Sequence, residues 1–127
     1  MRTIVIDENT SVCAALSIIL EEWRHDVIPT NTLLEAVHKL PDMKYSPDII
    51  IINVPYYHYE NDDKNINLIL DALEIIFPSS DIIIMTEEIN NSLKIAANDY
   101  GWSMLIKPFS EEDLRGALLR ATSKSKH

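Results

Sequence analysis

The sequence is poor in the residues on which many nucleotide sites and many secreted folds depend. Its 127 residues include two glycines, Gly101 and Gly116, and one cysteine, Cys13. Two distant glycines cannot form the glycine-rich loop that lets a backbone approach a phosphate, which argues against a small nucleotide-binding enzyme. One cysteine cannot form a disulfide within the chain. We therefore expect a reducing compartment and a buried, structural role for Cys13.

Basic residues are also scarce, and no apolar run is long. The chain has 11 Lys and Arg against 20 Asp and Glu, a net charge of −9 at pH 7. Because phosphate contacts need a basic face, we do not expect this domain to bind nucleic acid by itself. No apolar run could cross a bilayer, and Asp7 and Glu8 interrupt the region where a signal peptide would be apolar. We therefore expect a cytoplasmic protein with no membrane association.

Short apolar runs alternate with longer amphipathic ones along the chain. Continuously apolar runs are typical of strands buried on both faces, and apolar residues at helical spacing predict helices. The predicted strands are 3–7, 25–30, 48–53, 81–86 and 102–107, and the predicted helices are 11–23, 31–40, 65–77, 91–100 and 110–121. This order predicts an α/β fold, a doubly wound five-stranded parallel sheet with five helices, flavodoxin-like (βα)5. We expect the domain to span 1–122 and 123–127 to be a polar tail or linker stub.

Polar residues stand at the carboxyl ends of four predicted strands. They are Asp7 and Glu8, Asn53, Thr86 and Glu87, and Lys107 with Pro108. In a doubly wound sheet, these ends meet at the edge where ligands bind. Paired carboxylates can hold a hard cation such as Mg²⁺, and a hydroxyl and an ammonium can bind a phosphoryl oxygen. The edge has the parts of a phosphoryl site but lacks a nucleophile, and no Ser-His-Asp or Cys-His set lies there.

The motifs “VIDEN”, “PDIIIIN”, “IIIMT” and “LIKPFSEEDL”, in this order, resemble the CheY-like receiver domain of two-component response regulators, over essentially the whole chain. In that family an acid pair binds Mg²⁺, and an aspartate at the end of the third strand accepts a phosphoryl group from a histidine kinase. The resemblance implies that Asp7 and Glu8 are the acid pair. It also implies that Thr86 is the switch hydroxyl and Lys107 the phosphoryl-contacting lysine, with a cis peptide bond before Pro108.

Three positions depart from the family pattern. Asn53 stands at the phosphoacceptor position, and a neutral carboxamide is a far poorer nucleophile than a carboxylate. Glu87 brings a negative charge where the family usually has a small residue. Met104 replaces the aromatic residue whose rotamer reports phosphorylation. We therefore expect a pseudo-receiver: a non-enzymatic signalling module that acts through protein–protein interaction without phosphorylation.

Two alternatives remain open at the level of sequence. Asn53 could be an engineered replacement in a working, Mg²⁺-dependent phosphoacceptor domain. The acids Asp7 and Glu8 could form a structural ion pair with Lys107 instead of a metal site, so we expect at most weak Mg²⁺ binding there and no other cofactor.

The partner surface is predicted from the resemblance alone. Receivers commonly use the fourth helix, fifth strand and fifth helix, so we place a homodimer or protein-partner face at 90–121, with a histidine kinase or an output domain as candidate partners. Tyr56, Tyr57 and Tyr59 are expected to cap the cleft or to pack, with contact to a protein partner as the alternative. His25 and His38 are expected to be ordinary surface residues.

Overall fold

A single parallel sheet organises the chain, which the computed structural model describes over residues 1–44, 46–55 and 63–125. The elements are β1 (Arg2–Ile6), α1 (Thr10–Glu22), β2 (Asp26–Thr30), α2 (Leu33–Lys39), β3 (Ile49–Asn53), α3 (Asp63–Ile76), β4 (Asp81–Thr86), α4 (Asn91–Asp99), β5 (Ser103–Ile106) and α5 (Glu111–Ser125), with a 3₁₀ turn at Leu40–Asp42. The strands lie in the order β2-β1-β3-β4-β5 and every neighbouring pair is parallel. The predicted doubly wound α/β fold is confirmed.

Alternation along the central strands explains why they are apolar throughout. In β3, Ile50 and Ile52 enter one core with residues of α2, α3 and α4, whereas Ile49 and Ile51 enter a second core with residues of α1 and α5. Successive side chains of a strand point to opposite faces, so helices on both faces require an apolar residue at every position. Each fully buried isoleucine contributes about 1.5–3 kcal/mol relative to an exposed one.

Side-chain caps set where several helices begin. Asn9 Oδ1 accepts from the backbone N–H of Ser11 at 2.9 Å, and Thr32 Oγ1 accepts from the N–H of Glu35 at 3.1 Å. Before α5, the Asp113 N–H donates to Ser110 Oγ at 3.0 Å and the Ser110 N–H donates to Asp113 Oδ2 at 3.3 Å. These two contacts form a capping box, with Asp in the place usually taken by Glu or Gln.

The inner face of α1 is formed by Cys13, Leu16, Ser17 and Leu20, which are buried, whereas Ala15 is exposed. Apolar residues cover so much of the circumference of this helix that more than one face could be the buried one. The 3.6-residue periodicity alone therefore could not identify the buried face. The expected burial of Cys13 is confirmed.

The ends of the chain add two facts. Helix α5 continues to Ser125, three residues beyond the boundary predicted at 122. None of the helices within the described ranges is long and apolar enough to cross a membrane.

Candidate functional site

The sheet register brings the predicted site residues to one edge. Strands β1 and β3 are aligned so that Asp7, which follows β1, lies beside Asn53, the last residue of β3. Asn53 is aligned with the penultimate residue of β4, so Thr86 lies one step further along. The backbone N–H of Lys107 donates to the Thr86 carbonyl oxygen at 2.8 Å, which fixes the lysine at the same edge.

A buried ion pair joins the first and last strands at this edge. Lys107 Nζ lies 2.6 Å from Asp7 Oδ2, and the two side chains are 16% and 2% exposed. The other carboxylate oxygen, Asp7 Oδ1, accepts from the backbone N–H of Asn9 at 2.9 Å. A carboxylate removed from water must have its charge and lone pairs satisfied, and these two contacts do so. The structural ion pair considered as an alternative is therefore present.

Asn53, unlike Asp7, has a side-chain oxygen that is not satisfied. Its side-chain oxygen Oδ1 is buried and has no hydrogen-bond partner. An unmade hydrogen bond of this kind costs roughly 1–3 kcal/mol. The amide also places no negative charge beside the Asp7 carboxylate, so the edge holds two adjacent acids instead of three.

The residues present fit Mg²⁺ only in part. Among the described residues, no group of three His, Cys, Asp or Glu side chains comes together as a metal site. Asp7 and the exposed Glu8 could supply oxygen ligands, and water would complete the octahedral shell that Mg²⁺ prefers. Asp7, however, is already paired with Lys107, and the Asn53 amide contributes an uncharged oxygen.

The three remaining predicted positions have different environments. Thr86 is fully buried, so its hydroxyl is not on the accessible surface. Glu87 is exposed next to it, and Met104 is half-buried against the core formed with α2, α3 and α4. The peptide bond between Lys107 and Pro108 is cis, the isomer that the resemblance implies.

Two further residues hold the backbone of Asp7 in place. Asn31 Nδ2 donates to the Asp7 carbonyl oxygen at 3.0 Å, and Cys13 Sγ donates to the same oxygen at 3.3 Å. Burial raises the pKa of the Cys13 thiol, and the negative charge of Asp7 raises it further, so the thiol form persists. Sequence reasoning missed Asn31, although its position directly after β2 places it at the same edge.

Tyr56, Tyr57 and Tyr59 lie outside the described residues, so their expected capping or packing role stays a prediction.

Comparison with known proteins identifies the fold by structure and not by sequence. No protein-family model matches the chain, and no curated protein matches it. Among solved structures, the beryllofluoride-activated NtrC4 receiver domain dimer is 27% identical, with a TM-score of 0.72 over 96% of this chain and 97% of that chain.

Two other similar structures come from different organisms. A response regulator from Thermotoga maritima is 20% identical, with a TM-score of 0.73 over 96% of this chain and 97% of that chain. A CheY-like receiver domain protein from Methanospirillum hungatei is 14% identical, with a TM-score of 0.74 over 98% of this chain and 95% of that chain. The chain therefore has the CheY-like receiver fold.

Proposed function

We propose that this chain is a receiver-like signal-transduction domain that acts through protein–protein interaction without being phosphorylated. The observation that carries the proposal is Asn53 at the end of β3, the position that the resemblance assigns to the phosphoacceptor aspartate. A carboxylate attacks phosphorus with a full negative charge, and a carboxamide has none to offer. The chain is, on this proposal, not an enzyme and needs no cofactor.

The ion pair at the edge supports the same conclusion. Lys107 is bound to Asp7 at 2.6 Å in a nearly buried contact, so its ammonium already has a partner. A phosphoryl group arriving at this edge would have to compete with Asp7 for the lysine. With Asn53 uncharged, Mg²⁺ binding through Asp7 and Glu8 is weak, because a hard cation depends on the number of charged oxygens around it.

The proposed interaction face is the surface formed by α4, β5 and α5, within residues 90–121. Ile95 on α4 is 63% exposed and Leu119 on α5 is 61% exposed, so large apolar side chains face solvent on both helices. Lys94 and Arg120 add positive charge beside them on a strongly acidic chain. Exposed apolar side chains bordered by charged ones are typical of protein-binding surfaces.

The partner class follows from this face and from the similar structures. The NtrC4 receiver domain with 27% identity is described as a dimer. We propose a homodimer or a signalling protein partner, with a histidine kinase or an output domain as candidates. In either form the interaction persists without an aspartyl phosphate.

Sedimentation equilibrium tests the homodimer form directly. The parent chain is compared with Ile95→Glu on the proposed face and with Ile75→Glu on α3, a control in which the parent isoleucine is 78% exposed. We expect Ile95→Glu to weaken self-association at least ~10-fold, equivalent to about 1.4 kcal/mol, and Ile75→Glu to leave it unchanged.

The same experiment is repeated with acetyl phosphate and Mg²⁺. We expect no change in the association constant of the parent chain. Association that appears only with the phosphodonor would contradict the proposal. A parent chain that stays monomeric at all concentrations would reject the homodimer form in favour of a heterologous partner.

A further inference from the structure

A cavity of about 310 Å³ opens at the carboxyl edge of the sheet between β1 and β3. In the strand order β2-β1-β3-β4-β5, the chain passes from β1 to β2 on one side of this gap and from β3 to β4 on the other. The gap is therefore the topological switch point, where open α/β sheets bind their ligands. The volume lies at the lower end of the range of small-molecule sites, so it favours a compact ligand such as a single ring.

The walls of the cavity are mainly apolar. They are formed by Leu33 at the start of α2, Ile52 and Val54 around the end of β3, and Ile69 and Leu73 on α3. Ile52, Val54 and Leu73 are buried, so the core holds this part of the wall in place. A ligand placed there would be removed from water, which is favourable for an apolar group and unfavourable for a charged one.

Five polar side chains also line the cavity, and the two carboxylates among them already have partners. Asp7 is paired with Lys107 at 2.6 Å. Glu8 is exposed and makes an interaction of its own, so it does not present a free charge to a ligand. Neither carboxylate therefore requires a cationic ligand, and an anionic ligand would lie next to two acids.

The other three polar side chains are uncharged, and together they offer donors and acceptors. Asn53 Oδ1 is buried without a hydrogen-bond partner, and the same amide carries the donor Nδ2. Thr32 Oγ1 accepts from the Glu35 N–H at 3.1 Å and keeps its own O–H as a donor. Asn31 Nδ2 donates to the Asp7 carbonyl oxygen, which leaves Asn31 Oδ1 as an acceptor. A ligand that matches these groups is uncharged and carries a donor beside an acceptor.

We infer that this cavity binds a small uncharged molecule in which an apolar ring carries a primary carboxamide or contains a lactam. The ligand N–H donates to Asn53 Oδ1 and the ligand carbonyl oxygen accepts from Asn53 Nδ2, while the ring lies against Leu33, Ile69 and Leu73. Because a half turn of the Asn53 amide exchanges Oδ1 and Nδ2, a ligand with both groups pairs with either orientation.

This site goes beyond the proposed partner-binding function and does not depend on it, because the cavity lies between β1 and β3 and not on the 90–121 face. It gives the domain an input that needs no phosphoryl group.

Nuclear magnetic resonance titration of the full chain tests the site with four probes of nearly the same shape. Benzamide carries the donor and the acceptor, acetophenone only the acceptor, benzoate a negative charge and benzamidine a positive charge. We expect saturable amide shifts at Ile52, Asn53 and Leu73 with benzamide at millimolar concentrations, and an affinity for benzamide at least ~5-fold above that of each other probe. Another probe that binds as tightly as benzamide, or no saturable shift with benzamide, would overturn the inference.

Two tryptophan substitutions on α3 provide a matched pair. Ala72 lines the cavity and is exposed, so Ala72→Trp can fill the space with little risk to folding. Leu68 is 66% exposed on the same helix outside the cavity lining. We expect Ala72→Trp to reduce benzamide affinity at least ~10-fold and Leu68→Trp to leave it unchanged. Equal effects of the two substitutions would place the ligand outside this cavity.

A third variant separates the amide contact from cavity filling. Asn53→Leu removes the donor and the acceptor and keeps the approximate size of the side chain, so we expect benzamide to bind only as tightly as acetophenone. The ratio of the two affinities within one variant is not changed by a general loss of cavity volume. An unchanged preference for benzamide in Asn53→Leu would show that the amide at the end of β3 is not a ligand contact and would overturn the inference.

Discussion

The two edges of the sheet differ in how their polar groups are paired. At the amino edge, the Arg2 N–H donates to Asp48 Oδ2 at 2.8 Å, and the Asp81 N–H donates to the Asp48 carbonyl oxygen at 2.9 Å. The Asp26 N–H donates to the Met1 carbonyl oxygen at 2.7 Å. At the carboxyl edge, a buried ion pair lies beside Asn53, whose side-chain oxygen is buried without a partner.

This difference indicates that contacts at the amino edge serve stability, whereas the carboxyl edge is the functional one. The contacts at the amino edge pair the Asp48 carboxylate and the backbone N–H groups of Arg2, Asp26 and Asp81. The carboxyl edge keeps an unsatisfied acceptor at a cost of roughly 1–3 kcal/mol, which a fold selected for stability alone would remove.

Breaking the ion pair at each edge should have very different consequences. Lys107→Met leaves the Asp7 carboxylate buried and uncompensated, so we expect a loss of about 3–5 kcal/mol in the free energy of unfolding. The amino-edge pair of Arg2 and Asp26 is 26% and 68% exposed, so Asp26→Asn should cost about 0–1 kcal/mol. Urea denaturation measures both, and equal losses would contradict the contrast.

We expect the Asn53 side chain not to contribute to the stability of the fold. Asn53→Leu removes the unpaired oxygen, so we expect stability to be unchanged or raised by about 1–2 kcal/mol. Asn53→Asp places a second charge beside Asp7 and should lower stability by about 1–3 kcal/mol.

Mg²⁺ provides the control for the aspartate variant. We expect millimolar Mg²⁺ to recover the stability lost in Asn53→Asp and to have little effect on the parent chain, as thermal unfolding would show. If Asn53→Leu instead lost several kcal/mol, Asn53 would be a structural residue.

The amino edge contains a strained residue whose replacement should raise stability. Helices α1 and α4 both end in the same hydrogen-bond pattern, with the left-handed position occupied by Arg24 (φ 66°) after α1 and by Gly101 (φ 78°) after α4. We expect Arg24→Gly to stabilise by about 1 kcal/mol and Gly101→Ala to destabilise by about 1 kcal/mol. Chemical denaturation measures the free energy of unfolding of both variants. Changes of the same sign in the two variants would contradict the explanation that the left-handed position favours glycine.

The smallest effect should come from His25, also at the amino edge. Its Nδ1 lies 3.0 Å from Thr3 Oγ1, and burial, aided by the charge of the N-terminus, lowers its pKa against the opposing effect of Asp48. As the pH falls through about 6.5, His25 therefore binds a proton in the unfolded chain before it does so in the folded chain. The free energy of unfolding decreases as the pH falls through this range.

The pH dependence can be isolated by substitution. We expect unfolding free energies to fall between about pH 7.5 and about pH 5.5 in the parent chain, and to fall less in His25→Gln. His38→Gln, in which the parent histidine is exposed on α2, serves as the control and should follow the parent. An identical slope in all three chains would show that His25 does not contribute.

Sequence reasoning predicted the fold because the strands are unambiguous. Four consecutive isoleucines in β3 exclude a half-exposed strand, and the positions of Asp7, Asn53, Thr86 and Lys107 at strand ends follow from parallel connectivity alone. The inner face of α1 was harder, because the hydrophobic pattern does not mark Ser17, a polar residue, as buried.

Features that depend on three-dimensional proximity were beyond the sequence. His25 was predicted to be an ordinary surface residue, and that was wrong: it is half-buried and bonded to Thr3, which is distant along the chain. The contact from Asn31 to the Asp7 carbonyl oxygen and the unpaired state of the Asn53 oxygen likewise require side-chain distances that periodicity does not carry.

Intact-mass measurement after incubation with acetyl phosphate and Mg²⁺ tests most directly whether this domain works without phosphorylation. The parent chain and Asn53→Asp are treated side by side, and the variant reports whether the rest of the edge can still support the chemistry. We predict that the parent chain stays unmodified at any donor concentration that modifies Asn53→Asp. A parent chain that gains one phosphoryl group at the carboxyl edge would contradict the proposed function.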